Sequence, residues 1–95
     1  MPKGYIISRV DVVDPEAYAR YAAAATKVIA EHGGRPLARG GRWEALEGPA
    51  RARNVVLEFE DYETARRYYH SQQYQAAKAL RAGAAQIEMV LVEGV

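Results

Sequence analysis

The chain has 95 residues, 49% of them hydrophobic and 26% charged, with a formal net charge of +1 and no cysteine. One ordinary globular domain over residues 1–95 accounts for this composition, and the near-neutral charge argues against general nucleic-acid affinity, which needs a clustered basic surface. Without cysteine there is no disulfide, thiol nucleophile or cysteine metal site; without an apolar window of membrane-spanning length or a basic-then-apolar N-terminus, a cytoplasmic protein with no membrane partner is expected.

Tyr5 to Val10 reads as a strand, rich in β-branched and aromatic residues, with both faces partly apolar. Asp14-Pro15 starts a helix, because Asp14 can cap free N–H groups and Pro15 loses no hydrogen bond at the first helical position. Tyr18, Tyr21, Ala22, Ala25, Val28 and Ile29 recur at helical spacing, and Gly33 closes the helix with a left-handed cap. Leu37 to Leu46 reads as an extended segment interrupted at Gly40-Gly41 by a bulge or a close backbone approach. Glu47-Gly48-Pro49-Ala50 signals a turn, and Asn54 to Phe59 a second strand of this hairpin. Asp61 caps a second helix with Tyr62, Ala65 and Tyr69 turned inward. Ser71 caps a short third helix through Tyr74, Ala77 and Leu80 that stops at Gly83, and Ile87 to Val92 is the last strand.

This order is the ferredoxin-like βαββαβ plan of the α+β class, a four-stranded antiparallel sheet with helices on one face. The uncovered face carries aliphatic residues in both the third and last strands. Antiparallel sheets with one wet face show cleaner alternation, so the expected partner is a second copy, packed sheet face to sheet face.

With these segments in place, the whole chain resembles the family catalogued as domain of unknown function 1330, in the dimeric α+β barrel superfamily. The resemblance rests on the order and spacing of Gly4-Tyr5, Asp14-Pro15 with Tyr18 and Tyr21, Gly33-Gly34, Arg39-Gly40-Gly41, Glu47-Gly48, Glu58-Phe59, Tyr69, Ser71, Tyr74-Gln75, Lys78, Arg81 and Val92-Glu93-Gly94. Gln72 departs from it, since relatives commonly carry proline there. The resemblance implies a barrel made by two subunits' sheets, with a small cavity. Superfamily relatives include monooxygenases and isomerases of small organic molecules, some without a cofactor, but the family itself implies no reaction.

Two sets of residues carry possible chemistry. Glu58 interrupts an apolar strand, and a buried carboxylate needs a cation or a polar cavity. Arg39 is the nearest candidate, with Arg9, Arg42 and Arg53 as alternatives. In a pocket on the sheet face Arg39 would hold an anionic or polar small molecule and Glu58 would orient it or act as base; in the alternative the charges only specify assembly of a non-catalytic homo-oligomer. The second set is Tyr69, Ser71, Tyr74 and Lys78. Tyr74 and Lys78 share a helical face, so the lysine could acidify the phenol for acid–base work, with Tyr69, Ser71 and Lys78 holding ligand. The plainer reading is a capping Ser71, a packed Tyr74 and a solvated Lys78.

His32 and His70 stand near helix ends, where a cation suits the helix dipole, and lack metal-ligand spacing. Trp43 reads as a ring at the core edge or an interface. No phosphate-binding glycine loop or nucleophile elbow occurs, and the third strand lacks the aromatic and basic residues of RNA-recognition domains. No metal and no cofactor are expected; whether the protein is an enzyme stays open.

Overall fold

The computed structural model describes residues 2–95. Its elements are β1 (Gly4–Val12), α1 (Pro15–Glu31), β2 (Arg35–Arg39), β3 (Arg53–Phe59), α2 (Tyr62–His70), α3 (Gln72–Ala79) and β4 (Ala85–Glu93). The four strands form one antiparallel sheet in the order β2-β3-β1-β4, so β1 and β3 are central. This is the ferredoxin-like plan expected from the sequence, with the short α3 added.

The helix ends follow the capping chemistry. Asp14 accepts from the backbone N–H of Glu16 and Ala17, and Pro15 opens α1. At its other end Gly33 has φ 71°, and the N–H groups of Gly33 and Gly34 donate to Ala30 and Ile29 carbonyls. That is a Schellman closure, which only a residue free of the Cβ penalty adopts cheaply. Asp61 accepts from the Thr64 N–H, and Ser71 from the Tyr74 N–H. Caps of this kind are worth about 1 kcal/mol each.

The core lies between the sheet and the helices. Ile6, Leu57 and Phe59 of the sheet pack against Tyr21, Ala25, Val28 and Ile29 of α1, Ala65 and Tyr68 of α2, and Tyr74 and Ala77 of α3. On α2 the buried tyrosine is Tyr68, whereas Tyr62 and Tyr69 are half-buried. Of the expected Tyr62-Ala65-Tyr69 stripe Ala65 is fully buried, Tyr69 packs against the core from its edge, and Tyr68 is the tyrosine that enters it. Tyr68 fits between Phe59 and Tyr74, 4.9 Å from each ring, and that aromatic packing sets the rotation of the short helix. Leu80, expected on the inner face of α3, is exposed beyond its last turn.

The hairpin is shorter than expected. β2 ends at Arg39, and residues 40–52 cross from β2 to β3 without forming a strand. The bulge falls between Pro36 and Ala38, not at Gly40-Gly41. Gly40 instead provides the close approach: its φ is 70°, and a Cβ there would overlap the Arg53 guanidinium.

The sheet's other face is uncovered. It presents Arg35, Glu58, Tyr5 and Val92 in one row across the strands, Val56, Ile7 and Val90 in the next, and Asn54, Arg9 and Glu88 in the third. A middle apolar row is therefore flanked by polar ones, and Ile7, Val90 and Val92 remain exposed.

Candidate functional site

A cavity of about 60 Å³ lies between α1 and the inner face of the sheet. That is room for a handful of waters or a small organic group. Its floor is Ile6, Val10, Val55, Leu57, Ile87 and Met89, and α1 crosses it with Ala22 and Ala25. The cavity exists because α1 presents methyl groups where larger side chains would fill the gap. The alanine run thus contributes free volume as well as helix propensity.

Polar groups enter this apolar chamber at few points. Ser8 points into it and is, tyrosines aside, the one polar residue in the buried class among those described. Thr26 lines it, but its hydroxyl donates to the Ala22 carbonyl at 2.7 Å. Arg39 and Arg53 come from β2 and β3, and neither forms a salt bridge with a described carboxylate. Arg53 stacks on the Tyr18 ring, 5.6 Å from its centroid, and its Nε is buried without a hydrogen-bond partner. Arg39 is exposed and Arg53 half-buried, so the two guanidinium groups bring positive charge to the border of the apolar chamber.

Behind the cavity a hydroxyl pair links α1 to α3. Tyr21 lines the cavity, and its hydroxyl is 2.8 Å from that of Tyr74, which is fully buried. Arg81 donates to the Tyr74 hydroxyl at 3.4 Å and lies over the Tyr21 ring at 5.0 Å. Burial, then the neighbouring Tyr74, pushes the Tyr21 phenol far above its ordinary range. Burial does the same to Tyr68. For Arg81 burial opposes the charge, but the two tyrosine hydroxyls outweigh it and raise its pKa.

Glu58 is elsewhere. It lies on the uncovered face, where Oε1 accepts from Arg35 Nε at 3.0 Å and Oε2 from the Tyr5 hydroxyl at 3.2 Å. Its partner is thus none of the four arginines considered from the sequence. The register sets Arg35 opposite Glu58 and leaves Arg39 four residues further along β2, and the extra residue at Leu37 then turns Arg39 to face with Val55, on the helix-covered side. Arg39 and Glu58 do not meet. The cavity under α1 accordingly lies on the helix side, while hollows on the uncovered face open beside Arg35 and Glu58 and at Ile7, Arg9, Glu88, Met89 and Val90. Burial, then the Glu58 carboxylate, raises the Tyr5 phenol pKa, with Arg35 opposing.

The second set is also rearranged. Lys78 donates to the Tyr69 hydroxyl at 3.1 Å and lies 5.4 Å from that ring. It is Tyr69, not Tyr74, that carries the lysine, because the Tyr74 hydroxyl points inward to Tyr21. Ser71 is occupied as a cap, accepting from the Tyr74 N–H and donating to the Tyr68 carbonyl. His32 closes α1 through Nδ1 and the Val28 carbonyl, while His70 is exposed beside Tyr69. Trp43 is exposed on the segment between β2 and β3. Among the described residues no group of three or more His, Asp or Glu side chains is arranged to hold a metal, and no helix is long and apolar enough to cross a membrane.

Tyr21 and Arg81 as partners of Tyr74, and Arg35 as partner of Glu58, are the features that sequence reasoning missed. Tyr21 stood in an apolar stripe and, with Arg81, among the residues of the family resemblance, neither of which signals their contact with Tyr74, and Arg35 required the strand register.

Comparison with known proteins agrees with this architecture. The model of the family described as domain of unknown function DUF1330 matches residues 3–95. A protein of unknown function from Rhodopseudomonas palustris superposes with a TM-score of 0.78 at 17% identity, over 99% of this chain and 83% of that one. A dimeric ferredoxin-like protein of unknown function from Thermobifida fusca gives 0.65 at 17% identity, over 97% and 91%. SnoaB, a cofactor-independent oxygenase from Streptomyces nogalater, gives 0.62 at 14% identity, over 97% and 92%. At these identities the likeness is one of fold. No curated protein matches the chain.

Proposed function

The chain belongs to the DUF1330 family, and from that premise we propose that it is a small cytoplasmic homodimer that binds a small organic anion in the cavity under α1. The observation that carries this reading is the pairing of an apolar chamber with Arg39 and Arg53, two guanidinium groups without a carboxylate partner. An apolar pocket with a few convergent polar groups is the usual form of a small-molecule site, and arginine suits a carboxylate or phenolate. Arg39 keeps the anion-binding role the sequence suggested, with Arg53 beside it. Glu58 belongs to the assembly face in this reading, and the half-buried Tyr69 and Lys78 stand away from the cavity, at the edge of the core beside α2 and α3.

The dimer reading rests on the apolar row of the uncovered face and on the dimeric state of structural neighbours. No reaction is assigned. The alternative, a non-catalytic oligomeric module, makes the opposite prediction for ligands. Titration of wild type and Arg39→Ala with short straight-chain carboxylates, followed by protein NMR, separates them. The expected result is saturable shifts at cavity residues in wild type, weakened at least fivefold in Arg39→Ala. No saturable shift in wild type favours the module; equal affinity in both removes Arg39 as the anchor.

A further inference from the structure

The hydroxyl chain behind the cavity has a direction. Arginine has no acceptor, so in the Arg81–Tyr74 contact Arg81 donates and the Tyr74 oxygen accepts. Tyr74 is fully buried, and the described partners of its hydroxyl are Arg81 and Tyr21. A buried hydroxyl proton without a partner is costly, so Tyr74 directs its proton to the Tyr21 oxygen. Tyr21 then accepts from Tyr74, and its own proton is left over. Of the three residues, Tyr21 alone also lines the cavity.

We infer that Tyr21 is a ligand-facing hydrogen-bond donor, oriented by Tyr74 and Arg81, and that the cavity selects organic acids carrying a second, acceptor oxygen. This rests on the reading of the cavity as an anion site. Arg39 and Arg53 approach from β2 and β3, whereas the Tyr21 hydroxyl leans toward α3. A ligand touching both therefore bears its anionic group on one side and a carbonyl, ether or similar acceptor on the other. Polarisation along Arg81, Tyr74 and Tyr21 strengthens the last donor, since each hydroxyl that accepts becomes a better donor. Tyr21 would touch the ligand; Tyr74 and Arg81 are positioning residues.

The test measures dissociation constants for straight-chain carboxylates and their keto-substituted counterparts of equal length. Wild type is expected to prefer the best keto acid over its parent by about fivefold to tenfold, the scale of one hydrogen bond. Tyr21→Phe should abolish the preference, and Tyr74→Phe, which keeps the Tyr21 hydroxyl but removes the group that orients it, should reduce it by about twofold or more. Arg81→Gln should reduce the preference and Arg81→Lys restore part of it, a pattern that loss of packing would not give. A preference unchanged in Tyr21→Phe, with Arg39→Ala still impaired for every acid, overturns this inference and leaves the anion site standing. Wild type that binds none of the acids overturns both. As a ligand-independent check, a crystal structure should place a cavity water or bound acid oxygen within hydrogen-bond distance of the Tyr21 hydroxyl. If only Tyr74 contacts that oxygen, Tyr21 is not the donor.

Discussion

Arg35 and Arg39 lie four residues apart on β2 and face opposite sides of the sheet. On a regular strand that spacing puts two side chains on the same face. The extra residue at Leu37 breaks the alternation, so Arg35 reaches Glu58 while Arg39 reaches the cavity under α1. One inserted residue thus divides two cations between two tasks.

The first prediction follows from that division. Arg35→Ala removes an ion pair whose arginine is 72% exposed, so it should cost well under about 1 kcal/mol by urea denaturation of the monomer. Arg39→Ala should leave stability within about 0.5 kcal/mol yet weaken carboxylate binding. Deleting Leu37 should reproduce the binding loss with the circular dichroism spectrum unchanged, because it returns Arg39 to the other face. Full binding in the deletion variant would show that the bulge does not orient Arg39.

This arrangement also marks what the sequence could and could not reveal. Helix starts at Asp14, Asp61 and Ser71 were legible because capping is a local chemistry of one side chain and the next few N–H groups. The four-stranded antiparallel sheet and the one-sided helix layer followed from element order. Which face Arg39 occupied was not legible, since a bulge reverses parity and Leu37 carries no signature of one. The same holds for the Tyr21–Tyr74 contact, which joins residues 53 apart and depends on how α3 docks against α1. Local signals locate elements, whereas pairings across elements need the register and the packing.

Tyr74→Phe should destabilise the protein by about 1–2 kcal/mol, measured by chemical denaturation. The substitution keeps the ring in a fully buried site but leaves the Tyr21 oxygen and Arg81 without their partner. Tyr21→Phe breaks the same hydroxyl contact. The double variant should therefore cost less than the sum of the single ones, by about 0.5 kcal/mol or more. Strict additivity would mean that the hydroxyls do not interact in solution.

Acid should loosen the end of the sheet where Arg51 joins β1 to β4. A backbone hydrogen bond from Ala52, then the Arg51 guanidinium, holds the Asp11 carboxyl below its usual range. Hydrogen bonds from Arg51, then Arg9, do the same for Glu88. Folded-state values below the unfolded ones mean that these groups add stability above the ordinary carboxylate pKa of about 4 and lose it as pH falls through their depressed values. Stability measured by urea should decline below about pH 4, and Asp11→Asn should flatten part of that decline. An Asp11→Asn profile parallel to wild type would place the acid sensitivity elsewhere, Asp61 being the next candidate because its contacts with Thr64 also lower it.

The uncovered face makes the last prediction. Its rows run polar, apolar, polar: Arg35, Glu58 and Tyr5; then Val56, Ile7 and Val90; then Asn54, Arg9 and Glu88. A two-fold axis through the middle row sets apolar residues against apolar ones and keeps the charged rows at the rim, where water still reaches them. Wild type should therefore run as a dimer in size-exclusion chromatography with light scattering at micromolar concentration. Val90 is 55% exposed in the single chain, so Val90→Asp should cost the monomer little. At a dimer centre the same substitution buries an unpaired carboxylate twice over and should yield monomers. Ile7→Asp should act alike from the neighbouring strand, whereas Glu60→Ala, exposed beyond the end of β3, should leave the dimer intact. A wild-type monomer, or a Val90→Asp dimer as tight as wild type, would remove this face as the interface.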